Sequence, residues 1–181
     1  MVAYKAGAQA VSVAAQAAQT ARTAQTAQVV QTAQTAQTRV GRRRPRQQAV
    51  YVMMRPGVRE FLREMAPIYE LVLFTAGMKQ YADAVMERVD VDGLVRHRLY
   101  RDACRLHQGG LVKDLGLLGR SLRDVVIVDN SPHSYVLHPS NALPIPSFFH
   151  DRDDRHLHDL SPFLSLVAHL HDVTHALLLL H

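Results

Sequence analysis

The segment Val125-Val126-Ile127-Val128-Asp129-Asn130-Ser131-Pro132 decides the fold class. Four consecutive β-branched apolar residues predict a strand that is buried on both faces of a parallel sheet. The strand stops at Asp129-Asn130, because Ser131-Pro132 begins a turn that cannot continue it. Ligands of open α/β sheets bind at the carboxyl ends of the strands, so the Asp129 and Asn130 side chains are candidate ligands of a hard cation such as Mg²⁺. The alternative is that Asp129 only caps the following turn.

Strands alternate with helices along the rest of the chain, which predicts a parallel sheet with flanking helices. Apolar residues at helical spacing, Val58, Phe61, Leu62 and Met65, predict one helix, and residues 78–89 predict another. Gly109-Gly110 predicts a hairpin turn in a small β insertion. Further strands are predicted at residues 49–54, 69–74, 98–100, 104–107 and 142–145, and closing helices at 159–170 and 173–180.

The charge of the chain is concentrated in its N-terminal segment. The formal net charge is +5, but residues 1–50 carry seven basic and no acidic residues, whereas residues 51–181 carry 14 basic and 16 acidic ones. The folded part therefore has no basic surplus of the kind that marks a nucleic-acid-binding domain. The single cysteine, Cys104, excludes an intramolecular disulfide and is expected to be a small core residue. No apolar run approaches the ~18 residues of a transmembrane helix.

Two domains are predicted: a low-complexity tail at residues 1–48 and an α/β domain at 49–181. From Gln19 to Arg39 the tail repeats a tripeptide, mostly Gln-Thr-Ala, whose period of three builds no steady apolar helix face. We therefore expect a frayed helix or disorder. Arg42-Arg43-Arg44-Pro45-Arg46 ends the tail and resembles a nuclear signal, while the acid-free, Ala/Thr-rich start resembles an organelle transit peptide. A solvated tail or a misassigned gene start is the alternative.

Three polar residues follow apolar strands or their loops in an order that suits phosphate chemistry. They are Thr75 after Leu71–Phe74, Lys113 after Leu111-Val112, and Asp129 with Asn130. A hydroxyl donates to a phosphate oxygen, and an ammonium offsets the phosphate charge. Each residue alone is a weak signal, but the ordered set predicts a phosphate and metal site.

The sequence from about residue 49 to 175 resembles the small phosphatases of the RNA polymerase II C-terminal domain (CTD), within the haloacid dehalogenase superfamily. The resemblance implies a haloacid dehalogenase-like α/β fold, Mg²⁺ dependence and a phosphorylated protein or peptide as partner. It lies in these blocks, in family order: VMMRPGVREFL at 52–62, YELVLFTA at 69–76, KQYAD at 79–83, LYRDAC at 99–104, VKDL at 112–115, VIVDNSPHSYVLHPSNA at 126–142 and HDLSPF at 158–163.

The resemblance also implies a role for each matching residue. Thr75 corresponds to the phosphate-binding hydroxyl and Lys113 to the charge-neutralising lysine. Asp129 and Asn130 correspond to the metal motif, with Asn130 as a direct Mg²⁺ ligand. Two further positions are similar to those that contact the phosphopeptide beside the site: Tyr81 and Arg101. The alternatives are a helix-face aromatic for the tyrosine and a surface salt bridge for the arginine.

One part of the family pattern is absent from the printed sequence. Family chemistry starts from an Asp-x-Asp-x-Thr motif on the central strand, upstream of the Arg-Pro-Gly block, where one Asp attacks phosphorus and the other acts as general acid/base. Here the first acidic residue is Glu60 and the first aspartate is Asp83. We therefore expect the first central strand to be missing, Mg²⁺ binding to be weakened and the chain as written to be inactive. It is either truncated by a faulty start or a degenerate relative.

These observations leave a phosphoserine/phosphothreonine protein phosphatase-like domain as the first hypothesis. A non-catalytic protein-binding module, similar to the mitochondrial import receptor that uses a related domain, is the alternative. The basic tail adds nucleic acid or the import machinery as possible partners. A nuclear or cytoplasmic location is favoured, with organelle targeting as an alternative. An acidic, His-rich cluster at residues 150–158 resembles a metal site but has no tight tetrahedral spacing, so a solvated helix start explains it as well.

Overall fold

The computed structural model describes residues 2–5, 9–12 and 52–180, and nothing is described of the rest of the chain. The described residues form eight strands, four α-helices and several short 3₁₀ turns. The strands are β1 (Val2–Lys5), β2 (Gln9–Ser12), β3 (Tyr69–Phe74), β4 (Val95–Leu99), β5 (Arg105–His107), β6 (Gly110–Val112), β7 (Val125–Asp129) and β8 (Ala142–Pro144); the helices are α1 (Val58–Met65), α2 (Lys79–Val89), α3 (His156–Val167) and α4 (Val173–Leu177).

Six strands form one sheet in the order β4-β3-β1-β2-β7-β8, and β5 and β6 form a separate hairpin. Strand β3 is parallel to β4, and β7 is parallel to both β2 and β8. Strand β1 runs antiparallel to β3, to β2 and to β7. The predicted α/β fold with a small β insertion is therefore confirmed, with one antiparallel strand inside an otherwise parallel sheet.

The strand position that we expected to be missing, between β3 and β7, is occupied. Val2 of β1 pairs with Val72 on one side and with Ile127 on the other, and Val2 is fully buried. Strand β2 pairs with Val126 and Ile127. Buried strands need partners for their backbone N–H and C=O groups, and two short segments of the N-terminal region supply them. The expectation of a frayed helix or disorder concerns the Gln19–Arg39 repeat, which lies outside the described residues; residues 2–5 and 9–12 of the predicted tail form strands.

The core lies on both faces of the sheet, because side chains of β3 and β7 alternate between the faces. Leu71 and Leu73 of β3 pack with the helices, where the predicted apolar residues of α1 are all buried. Val72 and Phe74 pack on the opposite face. This face contains Val2, Leu115, Val125, Ile127, Tyr135 and Ala142.

The predicted strand at residues 49–54 is wrong for its described part. Residues 52–54 belong to no strand, and Met53 and Met54 are exposed, so this segment lacks the buried face that a sheet imposes. Its residues 49–51 lie outside the described part of the chain. Arg55 is nevertheless buried, because its guanidinium binds both carboxylate oxygens of Asp154 at 2.7 Å and the Pro146 carbonyl at 2.9 Å. The side chain of Arg55, rather than strand pairing, therefore anchors residues 52–55 to the domain.

Candidate phosphate-binding site

Two of the predicted site residues lie at the same edge of the sheet. Strand β1 is antiparallel to both β3 and β7, so β3 and β7 run in the same direction. Thr75 follows the last residue of β3, and Asp129 is the last residue of β7. The carboxyl edge of an α/β sheet is where ligands bind, so the fold brings these polar groups to the expected place.

Lys113 and Asp129 form a buried ion pair at this edge. The ammonium Nζ of Lys113 donates to Oδ2 of Asp129, and both side chains are almost fully shielded from water. The Lys113 backbone N–H donates to the Ser134 carbonyl at 2.7 Å, which ties the lysine to the loop that follows β7. Two predicted residues that are 16 positions apart in the chain are therefore in direct contact.

The Asp129 carboxyl is ionised despite its burial. Burial alone raises the pKa of Asp129, but the charge of Lys113 and hydrogen bonds from Lys113 and from the Ser131 N–H act in the other direction. The pKa of Asp129 is consequently lowered from its ordinary value. The Ser131 N–H lies 2.9 Å from Oδ1, so both oxygens of the carboxylate already have donors.

Arg101, which follows β4, is hydrogen-bonded to the loop after β3 that contains Thr75. The buried Thr75 hydroxyl oxygen accepts the Gly77 N–H at 3.0 Å, which leaves the hydroxyl hydrogen to donate to a ligand. The Arg101 backbone N–H donates to the Gly77 carbonyl at 3.1 Å, and its guanidinium donates to the Ala76 carbonyl at 3.4 Å. Arg101 is exposed, so the loop joins a buried hydroxyl to an exposed cation.

Asn130 presents one buried oxygen to the site. Its Nδ2 donates to the Ser147 hydroxyl at 2.7 Å, and its Oδ1 is buried with no hydrogen-bond partner among the described residues. An unpaired buried acceptor costs free energy and marks a position for a donor or a cation. Asn130 therefore stays a candidate ligand residue, on the basis of this one unpaired oxygen.

The described residues do not make a complete Mg²⁺ site. Mg²⁺ takes octahedral oxygen ligands, commonly one or two carboxylates plus waters and phosphate oxygens. The Asn130 oxygen fits such a role, but the Asp129 carboxylate is held by Lys113, and no carboxylate precedes Glu60 in the sequence. No group of three or more His, Cys, Asp or Glu side chains within the described ranges is placed to hold a metal ion. The donor set does not fit Mg²⁺ without further oxygen ligands.

Tyr81 lies in the first turn of α2, the helix that follows the Thr75 loop. Its ring is half-buried against the apolar cluster on the helix-covered face, and burial raises the pKa of its hydroxyl. The neighbouring part of α2 carries Asp83, which binds Lys79 at 2.6 Å and Tyr100 at 2.6 Å, directly before Arg101 in the chain. The roles of Tyr81 and Arg101 in binding a phosphopeptide remain predictions.

The acidic, His-rich cluster has a structural explanation for its central carboxylate. Asp154 binds Arg55 through both oxygens, and its Oδ2 also contacts Nδ1 of His156 at 3.0 Å. The pKa of Asp154 is lowered to about 2, mainly by the Arg55 hydrogen bonds. The last long helix begins at His156 rather than near residue 159 as predicted, and the Asp154 Oδ1 accepts the His156 N–H at 3.2 Å.

Sequence reasoning missed a polar cluster on the other side of Lys113. Asp114 is buried and binds Arg105 at 3.0 Å and His138 at 2.9 Å. Arg105 lies in β5, 9 residues before Asp114, and His138 lies 24 residues after it. Asp114 and His138 lie within the family blocks at 112–115 and 126–142, but nothing in those blocks indicated that they pair with each other or with Arg105. Cys104 is half-buried, and its thiol donates to the Thr75 and Tyr100 carbonyls at 3.7 and 3.8 Å.

The fold and the polar groups at its carboxyl edge define a phosphatase-like α/β domain, and comparison with known proteins gives the family. The model of the NLI interacting factor-like phosphatases matches residues 20–174, well over half of the chain. The chain belongs to this family, and the resemblance to the CTD small phosphatases of the haloacid dehalogenase superfamily is confirmed. Phosphatases of this type are generally Mg²⁺-dependent.

Curated relatives are similar to about two thirds of the chain. Human carboxy-terminal domain RNA polymerase II polypeptide A small phosphatase 1 is 51% identical over 124 residues, which are 68% of this chain and 48% of the human protein. A probable C-terminal domain small phosphatase of Dictyostelium discoideum is 49% identical over 124 residues, 68% of this chain and 40% of its own length. Phosphatase PSR1 of Saccharomyces cerevisiae is 45% identical over 64% of this chain and 27% of its own.

The chain thus spans less than half the length of these relatives. A solved structure of Fcp1, an essential RNA polymerase II CTD phosphatase, is 28% identical over 57% of this chain and 28% of that chain, with a TM-score of 0.48. The family assignment therefore rests on the sequence matches. Across the described residues, no helix combines the length and the apolar character needed to cross a membrane.

Proposed function

We propose that this chain is a phosphatase-like domain that binds phosphoserine or phosphothreonine in proteins and, as the 181-residue polypeptide, does not hydrolyse it. Its relatives are named as phosphatases of the RNA polymerase II carboxy-terminal domain, which supports a phosphorylated protein as the ligand. Binding needs donors and positive charge at the sheet edge, whereas hydrolysis by the family mechanism needs a carboxylate nucleophile as well.

The observation that carries this proposal is the hydrogen bonding of Arg101 to the Thr75–Gly77 loop, at the edge that also contains Lys113. The Thr75 hydroxyl hydrogen is free of the Gly77 bond and donates to a phosphate oxygen in the proposed complex. Arg101 is exposed and approaches the same phosphate or its peptide from the solvent side. Planar guanidinium groups bind phosphate through paired hydrogen bonds, so Arg101 sets the preference for the phosphorylated form.

Lys113 is the second cationic side chain of the proposed phosphate site, but its charge is paired with a carboxylate. Its ammonium is already neutralised by Asp129, so the pair contributes a local dipole and a fixed hydrogen-bond geometry rather than a full free charge. The ammonium has three hydrogens, and only one is needed by Asp129 Oδ2. A phosphate oxygen that enters the site therefore has a preoriented donor. No step of hydrolysis is assigned to Lys113, because the described donor set lacks a nucleophile.

Peptide binding with matched variants tests the proposal. Fluorescence anisotropy compares a phosphoserine peptide with its unphosphorylated form, and we expect the phosphorylated peptide to bind more tightly. Arg101→Ala removes a charge-assisted hydrogen bond worth about 1.5–3 kcal/mol, so affinity falls about ten- to hundred-fold. Arg96→Ala, which removes another exposed arginine, on β4, is the matched control and is expected to leave affinity unchanged.

Two results would overturn the proposal. Equal binding of the two peptide forms, unaffected by Arg101→Ala, identifies a phosphate-independent protein-binding module instead, which is the alternative drawn from the import-receptor likeness. Mg²⁺-dependent release of phosphate from the peptide by the pure protein, lost in Asn130→Ala, identifies an active phosphatase. Thr75→Val keeps the side-chain size and removes the hydroxyl, so it measures the contribution of the Thr75 hydroxyl to phosphopeptide affinity separately from that of Arg101.

A further inference from the structure

We infer that Asp114 is the positioning residue of the Lys113 ammonium: with Arg105 and His138 it clamps the lysine segment between the β5–β6 hairpin and the loop after β7. The contacts of Asp114 carry the inference. Its expected effect on phosphate affinity rests on the proposed function. Asp114 follows Lys113 directly in the chain, so contacts that hold the Asp114 side chain also restrict the positions open to the lysine backbone.

The Asp114 carboxylate joins three separate parts of the molecule. Its Oδ2 accepts the Arg105 guanidinium at 3.0 Å, which ties it to β5. Its Oδ1 lies 2.9 Å from His138 Nε2 and accepts the Gly116 N–H at 3.1 Å. His138 begins the 3₁₀ turn at Pro139–Asn141, which leads into β8. One buried side chain therefore connects the hairpin, the lysine segment and the connection from β7 to β8.

The surroundings leave this carboxylate little room to move. Asp114 and His138 are both largely shielded from water, with 9% and 14% of their side chains exposed. A methyl group on Gly116 would lie 3.3 Å from the Asp114 Oδ1 and 3.6 Å from the His138 ring, so the turn is packed tightly against the pair. The pKa of Asp114 is lowered, first by the His138 hydrogen bond and then by those of Arg105 and the Gly116 N–H, against the effect of burial. The carboxylate is consequently ionised and can hold both basic partners.

Ser134 and Asp129 hold Lys113 in addition to the clamp. The Lys113 N–H donates to Ser134, and its ammonium donates to Asp129. Ser134 and His138 belong to the same connection between β7 and β8. The lysine is thus fixed by its backbone, by its ammonium and, through Asp114, by the next residue. Removing the clamp frees one of these three restraints and lets the ammonium leave Asp129 more often.

The reactivity of Lys113 measures this directly. The chain has three lysines, Lys5, Lys79 and Lys113, and the side chain of Lys79 is 68% exposed whereas that of Lys113 is 4% exposed. Limited acylation with an amine-reactive ester, quantified by peptide mass spectrometry, reports how often Lys113 opens to solvent, with Lys79 as the internal reference. This readout uses no ligand, so it is independent of phosphate binding.

We expect Asp114→Ala and His138→Ala to raise the acylation rate of Lys113 about tenfold relative to Lys79, the effect of losing one buried hydrogen bond. His138→Gln keeps an N–H donor near the position of Nε2 and is expected to restore most of the protection. Arg105→Ala, which removes the mostly exposed arm, gives a smaller increase. Asp92→Ala removes the carboxylate of the exposed pair with Arg63 and is the control without effect.

The same variants are then titrated with the phosphoserine peptide, and affinity is expected to fall in the order of Lys113 reactivity. Thermal melting identifies any variant that is globally unfolded; if Asp114→Ala is, the His138 and Arg105 variants decide. Unchanged Lys113 acylation in folded His138→Ala overturns the inference. Failure of the unmodified protein to bind the phosphopeptide overturns the proposed function, and that result is visible before any Asp114 variant is made.

Discussion

The ammonium of Lys113 and the carboxylate of Asp129 form an ion pair whose side chains are only 4% and 0% exposed to solvent. Both groups come from segments that end or follow strands at the carboxyl edge of the sheet. Removing charges from water is costly, and the attraction within the pair offsets this cost only while both partners are present. The pair therefore couples the stability of the domain to the geometry of its candidate site.

Lys113→Met is expected to destabilise the protein by about 3–5 kcal/mol, because it leaves the Asp129 carboxylate buried without a counter-charge. Urea denaturation followed by circular dichroism measures the free energy of unfolding. The double variant Lys113→Met/Asp129→Leu removes the stranded charge and is expected to be more stable than Lys113→Met alone. Equal stability of the single and double variants would show that Asp129 is not held ionised by Lys113.

Acid sensitivity is expected to depend on Asp154. The pKa of Asp154 is about 2 in the folded protein, below its ordinary value of 3.8, because its carboxylate binds Arg55. The folded state therefore binds fewer protons than the unfolded chain, and the stabilisation from this group is present above pH 3.8 and is lost as the pH falls towards 2.

Asp154→Asn tests that dependence. The difference in unfolding free energy between the unmodified protein and Asp154→Asn is expected to shrink steadily from pH 5 to pH 2 in urea titrations. Asp153→Asn, at the exposed neighbouring position, is the matched control and should show no such trend. A difference that stays constant over this range would mean that the Arg55 contact does not lower the Asp154 pKa.

The turn of the β5–β6 hairpin offers a stabilising change. Gln108 and Gly109 connect the two strands with φ angles of 46° and 79°, the pattern of a two-residue turn with both residues in the left-handed region. A glutamine in that region is strained by roughly 1–2 kcal/mol, whereas glycine is not. Gln108→Gly or Gln108→Asn is therefore expected to raise the melting temperature, and Gly109→Ala to lower it. Calorimetry of the three variants measures the order of their melting temperatures. The opposite order would mean that the turn is of another type.

Mg²⁺ is expected to have little effect on this chain. The described residues offer the unpaired Asn130 Oδ1, but the Asp129 carboxylate is bound by Lys113 and Ser131. Phosphopeptide affinity should be the same in EDTA and in millimolar Mg²⁺, and the melting temperature should not change. Calcium at the same concentration controls for ionic strength. A Mg²⁺-specific gain in affinity that Asn130→Ala removes would contradict this expectation and locate the missing ligands in the rest of the chain.

Local sequence patterns predicted the parts of the fold that depend on local chemistry. The apolar run before Asp129 predicted β7, and the spacing of Phe61, Leu62 and Met65 predicted α1. The sequence placed Lys113 and Asp129 at one sheet edge, but the ion pair between them was not predicted. The Thr75 loop also lies where the order of the motifs placed it.

The rest depended on tertiary structure that no short pattern records. Strand β1 has four residues, Val2–Lys5, and its conformation follows from the unpaired backbone groups of β3 and β7 on either side. Segment 52–54 has the composition of a strand but ends at Arg55, whose buried partner Asp154 lies 99 residues further on. In the sequence, Asp114 resembles any other acidic loop residue; only the structure shows that Arg105 and His138 bind it. Pairings between distant residues of opposite charge have too many alternatives to be predicted from one sequence.

The distance in sequence between Arg55 and Asp154 also bears on how the chain is made. A ribosome adds about 5–20 residues per second, so roughly 5–20 s separate the synthesis of the arginine from that of its 99-residue-distant partner. During that interval the Arg55 guanidinium stays hydrated. The Tyr69 hydroxyl likewise lacks its partner, the Leu164 carbonyl, which lies 95 residues further along the chain. A nascent chain stalled before Asp154 would contain the strands of the candidate site but neither the Arg55–Asp154 nor the Tyr69–Leu164 hydrogen bond. We expect such a chain to be a substrate for chaperones.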